Sequence, residues 1–318
     1  MTDASAGTDE PRPEGFSHLV IEVADTDRAI EFYGVALGAG TAVLNAWPRA
    51  DEAALALASG QALAFRAGDD GGIGKESGVH QAYACPAEAR AGIADRLRAC
   101  GIDVATYHED RPPEAVDPFY FTDPFGNRAQ LVFSPGEGAG ISGIDHAAVE
   151  ASDIEWEEEF FVEQLGFPVD HRVGWNTADY VRARAWAEGK EDMAPGTRRM
   201  DHRYRDIPGA EPGRGREVAR PNMQIFLGLE RGAIGIFLAT RHRQEPAPET
   251  ARGTPRTALA IDRAGLDRWA AKLAATGVAV EGPVEHAPGG PLAASLYFRD
   301  PCGNFFELCT PENGSPGR

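Results

Sequence analysis

Cysteine is scarce in this chain and basic charge is outnumbered. The four cysteines, Cys85, Cys100, Cys302 and Cys309, show no C-x-x-C spacing and stand in apolar strand or helix contexts. They argue against a disulfide framework and read as reduced core thiols of a cytoplasmic protein. Lysine and arginine together number 31 against 49 acidic residues, a formal net charge of −18. Nucleic-acid binders displace counterions with basic surfaces, so this balance excludes nucleic acid as a partner and favours a small organic molecule. No run of about 18 apolar residues is present to span a bilayer, so no membrane partner is expected. Residues 1–13 are polar and acidic, without the basic start and apolar run of a signal peptide, and read as a disordered tail. Residues 313–318 form a second tail, and assembly as a homo-oligomer is left open.

What is present is repetition. Phe119-Tyr120-Phe121-Thr122-Asp123-Pro124-Phe125-Gly126-Asn127 returns as Leu296-Tyr297-Phe298-Arg299-Asp300-Pro301-Cys302-Gly303-Asn304. Each copy reads as a hairpin: an aromatic strand leads in, Asp and Pro start a turn, Gly and Asn tolerate positive φ, and a second strand leads out. On that outgoing strand, seven residues beyond the Asp, stand Gln130 and Glu307. Upstream, each copy has a histidine, in Thr106-Tyr107-His108 and in Val284-Glu285-His286.

The repetition extends to four units. Ser17–Val23 reads as a strand. Asp25 or Thr26 caps a helix with Ile30, Tyr33 and Leu37 on one face and a stop at Gly38, and strands at 41–47, 53–58 and 61–66 complete a βαβββ module. A second module starts at Val79-His80, with a helix over 87–99, a stop at Gly101 and strands near 103–107, 118–122 and 128–133. After a Gly- and Glu-rich linker, Gly143–Val149 opens a third, whose helix stops at Gly166. Arg256–Ile261 opens a fourth, whose helix stops at Gly277. The fold class is therefore α+β, with one domain at 14–136, a linker at 137–141 and a second domain at 142–312. The third module carries a long insertion near 170–222 ahead of its strands at 223–228 and 233–239. Within it, Arg198–Arg220 holds seven arginines against four acids. That segment reads as a solvated loop or as a lid presenting arginine to an anionic substrate.

Paired βαβββ modules with these hairpins resemble the vicinal oxygen chelate superfamily, which includes glyoxalase I, bleomycin-type resistance proteins and type I extradiol dioxygenases. The resemblance spans about 14–312 and implies two cups, each built by two modules and each able to hold a metal and a chelating substrate. This chain departs from the extradiol signature in two ways. Ten residues (109–118) and nine residues (287–295) separate histidine from the apolar-Tyr pair, more than in that family, and the first hairpin ends in Gln130 rather than Glu.

Strand alternation places His18, Val20 and Glu22 on the face opposite Leu19, Ile21 and Val23, and His146, Ala148 and Glu150 on the face opposite Ala147, Val149 and Ala151. His80 and Arg256 hold the corresponding positions of the second and fourth modules. Carried over from the family, the first cup offers His18, His80 and Gln130 as ligands for Fe(II), Mn(II) or Zn(II). The second offers His146, Arg256 and Glu307, where arginine cannot be a ligand and is expected to pair with Glu307. The family's substrate-contacting positions fall on His108 with Tyr120, and on His286 with Tyr297. The resemblance thus implies a metal-dependent enzyme of extradiol type acting on a small molecule. A non-catalytic small-molecule binder and a glyoxalase-type lyase or isomerase are the alternatives.

Overall fold

The structure is a computed structural model that describes residues 12–40, 42–68, 79–106, 116–151, 154–173, 224–238 and 250–312. His108 and the arginine-rich stretch 198–220 lie outside the described residues.

The first module is β1 (Gly15–Val23), α1 (Thr26–Glu31, prolonged by a π-helical turn Phe32–Ala36), β2 (Glu52–Ala56) and β3 (Ala62–Ala67). The second is β4 (Gln81–Pro86), α2 (Arg90–Ala99), β5 (Ala105–Thr106), β6 (Phe119–Thr122) and β7 (Arg128–Ser134). The third comprises β8 (Gly143–Ala151), α3 (Ile154–Glu158, with a π-helical turn Glu159–Gln164), β9 (Val169–Val173), β10 (Gln224–Gly228) and β11 (Ala233–Leu238). The fourth is β12 (Arg256–Ala260), α4 (Arg263–Thr276), β13 (Val280–Glu285), β14 (Leu292–Arg299) and β15 (Phe305–Pro311).

Local chemistry explains the helix limits. The Asp25 carboxylate accepts from the backbone N–H of Asp27 and Arg28 at 3.0 and 3.1 Å, and Asp262 caps α4 in the same way through Gly265. Gly38, Gly101, Gly166 and Gly277 all take positive φ of 70–81°, the left-handed conformation that ends a helix at low cost in glycine. One expected strand is reduced to a single bridge among the described residues. Of 42–47, Val43 bridges Leu55, flanked by backbone bonds from Leu44 N to Ala54 O and from Ala56 N to Ala42 O; the chain then turns at Ala46 with φ 54°, laying Trp47 against His18. Cys100, expected in the core, is exposed at the end of α2, while the other three cysteines are buried and all four are free thiols.

The strands form two sheets, and their membership differs from the expected pairing. One sheet runs β13-β14-β15-β12-β1-β3-β2, joining the first module to the fourth. The other runs β5-β6-β7-β4-β8-β11-β10-β9, joining the second to the third. The two cups are thus built across the halves of the chain, where 14–136 and 142–312 had each been expected to close a cup alone. At each centre two first strands run antiparallel: β1 against β12, with His18 level with Ala258 and Val20 level with Arg256, and β4 against β8, with Ala82 level with His146.

The halves survive on the convex, helix-covered side of the sheets. Tyr33 packs against Phe65 and Tyr83 and donates its hydroxyl to Asp123 at 2.8 Å. Phe161 packs against Phe306 and Phe167, and Phe167 against Trp269. Leu19, Ile21 and Val23 enter this same core, as alternation predicts. The repeated Asp-Pro-x-Gly-Asn turns lock each half. Asn127 donates its amide to Glu22 O (3.0 Å) and to Asp123 (3.1 Å), and Asn304 donates to Glu150 O (2.7 Å) and to Asp300 (2.5 Å). Because these amides satisfy buried acceptors, Asn127→Ala and Asn304→Ala should each lower unfolding free energy by about 1–3 kcal/mol in urea titrations. An unchanged midpoint in both variants would show that the turns hold without them.

Candidate functional site

Residues directly opposite in a ladder project to the same face, so register assigns the lining of each cup. In the eight-stranded sheet, Tyr120 is level with Gln130, Gln130 with Ala82, and Ala82 with His146. Further along, Ala148 binds the His80 carbonyl and is level with Gly235, Gly235 is level with Phe226, and Phe226 with His171. The rings confirm this face. His80 lies edge-on to His146, Phe237 and Tyr120, with centroids 5.1, 5.6 and 6.2 Å away, and His171 stacks on Phe226 at 4.2 Å.

At the centre, His80 Nε2 and His146 Nε2 are 3.0 Å apart, and both rings are largely enclosed. Asp145 Oδ1 accepts from His146 Nδ1 at 2.6 Å. A carboxylate only accepts, so His146 carries a proton on Nδ1, and in the neutral imidazole the Nε2 facing His80 is then the acceptor. Gln130 is buried on the same face. The expected trio of His18, His80 and Gln130 is therefore corrected: His18 belongs to the other sheet, and His146 stands where it was placed.

In the seven-stranded cup, His18, Arg256 and Glu307 come together and His146 does not. Arg256 donates from Nε to Glu307 (2.8 Å), from Nη2 to Glu52 (2.9 and 3.2 Å) and from Nη1 to Gly253 O (3.1 Å). The expected pairing with Glu307 is present. Glu52 was not singled out, although a single charge opening an alanine-rich strand (Glu-Ala-Ala-Leu-Ala) is a visible signal. His18 Nε2 lies 3.4 Å from Glu307. Trp47 closes over the site, edge-on to His18, and donates its indole N–H to Glu52 at 3.0 Å.

Two further expected residues fall here. Tyr297 is buried, level with Glu307, with the guanidinium carbons of Arg252 and Arg256 4.3 and 5.4 Å from its ring centre. Burial, followed by the charge of Glu307, pushes its hydroxyl up to about 12. Half-buried His286 contacts Ser295 Oγ at 2.8 Å, and that hydroxyl donates to Glu307 at 2.6 Å. Burial, first among its causes, lowers the His286 pKa.

Burial alone would raise the Glu307 carboxyl, but His18, Arg256 and the Ser295 hydroxyl outweigh it and hold it well below the usual carboxylate range. Among the described residues, His18, Glu307 and Cys309 also bring donor atoms within 4.8 Å of one another. Burial and then the charge of Glu307 keep the Cys309 thiol protonated, and Arg256 already supplies a cation. This cup carries its own positive charge.

Because the Glu307 pKa is depressed in the folded chain, its contribution to stability is present above the unfolded value near 4.3 and is lost as pH falls below it. Arg256→Met should cost about 3–5 kcal/mol at neutral pH by removing the buried cation that the two carboxylates share, leaving Glu52 with Arg49 at 3.0 Å and the Trp47 indole, and Glu307 with His18 and the Ser295 hydroxyl. Adding Glu307→Gln and Glu52→Gln should recover much of that loss in denaturant unfolding. A triple variant no more stable than the single one would show that charge compensation is not the reason for the arrangement.

Comparison with known proteins agrees with this architecture. A family model described as Glyoxalase/Bleomycin resistance protein/Dioxygenase superfamily matches residues 143–308, and one described as Glyoxalase-like domain matches residues 18–132. No curated protein is significantly similar in sequence. Among solved structures, a candidate dioxygenase from Bacillus subtilis subsp. subtilis str. 168 is similar with TM-score 0.62 and 17% identity, over 96% of this chain and 87% of that one. Glyoxalase I from Zea mays is similar with TM-score 0.57 and 16% identity, over 93% and 92%. At such identities these two share the fold. The family match covers more than half of the chain, which therefore belongs to the glyoxalase/bleomycin resistance protein/dioxygenase superfamily.

Proposed function

We propose that the eight-stranded cup is a divalent-metal site, with His80, His146 and Gln130 as donors, in an enzyme acting on a small organic substrate that bears neighbouring oxygens. The observation that carries this reading is the 3.0 Å approach of the two Nε2 atoms. Donors about 2.0–2.2 Å from one centre lie roughly 3 Å apart, so the imidazoles already have the spacing of a shared ion. Asp145 fits the same role, since a carboxylate behind a ligating imidazole fixes its tautomer and orientation. Gln130 supplies a neutral oxygen. The donor set suits Fe(II), Mn(II) or Zn(II).

When bound, such an ion polarises substrate oxygens and offsets the negative charge that develops on them. The chain supplies the rest. Phe226, Phe237 and the His171 ring make a wall for a flat substrate and restrict water. Tyr120, level with Gln130, presents a hydroxyl that can donate to a substrate oxygen. An oxygenase of extradiol type is the reading we favour, because Tyr120 and Gln130 fall on that family's hairpin positions. Binding without turnover is the alternative, since the two imidazoles also satisfy each other as a hydrogen-bonded pair. The seven-stranded cup is assigned no metal.

Equilibrium dialysis with Mn(II) or Zn(II) tests the assignment. His80→Ala and His146→Ala should each lower affinity at least about tenfold, the range seen when supporting groups of metal sites are removed, while His18→Ala leaves it unchanged. Equal affinity in all three variants would remove the metal site and leave the binder.

A further inference from the structure

The seven-stranded cup holds a chain of titratable groups that needs no metal. It begins at Glu307, whose Oε2 faces Arg256 Nε at 2.8 Å and His18 Nε2 at 3.4 Å, and whose Oε1 accepts the Ser295 hydroxyl at 2.6 Å. Arginine cannot lose its proton, so the carboxylate beside it stays ionised and only accepts. The single hydroxyl hydrogen of Ser295 is therefore directed to Glu307. Only lone pairs remain on the Ser295 oxygen, so His286 Nε2, 2.8 Å away, must donate to one of them. In the neutral imidazole the proton then sits on Nε2, and Nδ1 carries the lone pair. Among the described residues no group bonds that Nδ1. Ser295 and Glu307 are buried while His286 is half-buried, so the chain leads from the interior to an accessible ring.

The surroundings favour the neutral form of that ring. Burial comes first among the causes that lower its pKa, and the charges of Arg252 and His18 act with it against those of Glu307 and Glu285. Arg252 is the second component of the site. Its guanidinium carbon lies 4.3 Å from the centre of the Tyr297 ring. Tyr297 and Ser295 are two residues apart on β14, which puts them on one face about 7 Å apart. Arg252 covers the first and His286 bonds the second. Arg252 Nη2 pairs with exposed Glu281 at 2.8 Å, and its buried Nε has no partner among the described residues. A surface pair of this kind is weak and an orphaned buried donor is costly, so the guanidinium is disposed to take a further anion.

We propose that the seven-stranded cup is a metal-free acid–base site, in which Arg252 holds the carboxylate of a small oxo acid and His286 Nδ1 removes a proton from the carbon beside its carbonyl. An imidazole base reaches only those carbon acids that a neighbouring carbonyl has acidified, and a cation is needed where the negative charge develops. Arg252 is that cation. In the step the C–H bond breaks, the proton passes to Nδ1, and the electron pair moves onto the carbonyl oxygen as an enolate. The imidazolium then returns a proton to the carbon or to the enolate oxygen, so the reaction is exchange or isomerisation and no oxidant is required. His286 is the catalytic residue, and Ser295 and Glu307 are positioning residues. The site is independent of any metal in the eight-stranded cup.

Hydrogen–deuterium exchange at C3 of 2-oxobutyrate, followed by proton NMR in D2O with the full chain, reads this step. With excess EDTA present, wild-type protein should exchange at least about a hundredfold faster than His286→Gln, the scale of a positioned general base. Arg252→Met should raise KM about tenfold with a smaller change in kcat, as expected for a lost charge-assisted contact to the carboxylate. Long-range 1H–15N spectra should place the His286 proton on Nε2 in the neutral wild-type ring, the signal being assigned by its loss in His286→Gln. Ser295→Ala should turn this into a mixture of tautomers and slow the exchange, and the wild-type spectra keep the proposal refutable if that variant does not fold. Equal exchange in wild type and His286→Gln would overturn the proposal. So would a neutral His286 protonated on Nδ1, and so would exchange that EDTA abolishes, which would assign the proton transfer to a bound metal.

Discussion

The structure depends on the antiparallel pairing of first strands at the centre of each sheet, β1 with β12 and β4 with β8. That pairing places two cup-facing residues diagonally across one ladder, where their side chains meet over the concave face. It produces the His80–His146 contact in one sheet and brings Arg256 beside His18 and Glu307 in the other. Every other lining residue is set by counting outward from these pairs. The helices pack on the opposite face and follow chain order, so the halves share aromatic cores while the sheets exchange partners between them. Gln61 joins the two arrangements: its amide donates to Phe16 O of β1 at 3.1 Å and accepts from Ile144 N of β8 at 2.7 Å.

Much of this was legible because it is local. Capping residues, helix-ending glycines, period-two alternation and the duplicated hairpin act over a few residues, and they placed the modules and the cup-facing side of each first strand. Which module pairs with which is a non-local matter. Four similar first strands compete for partners, and alternation in one strand says nothing about its neighbour, so His18 and His80 were brought together on paper and lie in separate sheets. The same reason hid Glu52. It becomes informative only when its strand is set in the sheet that also carries Arg256. Trp47 was missed for a different reason, since a left-handed alanine at 46 redirects the chain where propensity favours a strand.

The hairpin motif also divides into parts with separate purposes. Its Asp and Asn residues face the helix side, where Asn127 and Asn304 clamp the main chain of Glu22 and Glu150 and Asp123 receives the Tyr33 hydroxyl. Burial, first among its causes, raises the Asp123 pKa, in keeping with a structural carboxyl shielded from water. The tyrosines and the residues seven positions past each Asp face the cups. A turn kept for stability thus also fixes the register at which Gln130 and Glu307 are presented, and a change of function needs only the outward residue to change.

That separation explains how the two cups can differ so fully while sharing a scaffold. A buried arginine requires carboxylates around it, because an uncompensated guanidinium in such a place is costly, and Glu307 and Glu52 meet that requirement together. Once arginine stands at the centre, amides at those two positions would destabilise the cup. Once histidines stand there, no fixed cation requires carboxylates beside it. The residues at the two sets of positions are therefore coupled by electrostatics within each cup and independent between cups. Duplication of the module allows that independence: one sheet holds a self-neutralised cluster around Arg256, while the other holds two imidazoles whose Nε2 atoms meet at 3.0 Å.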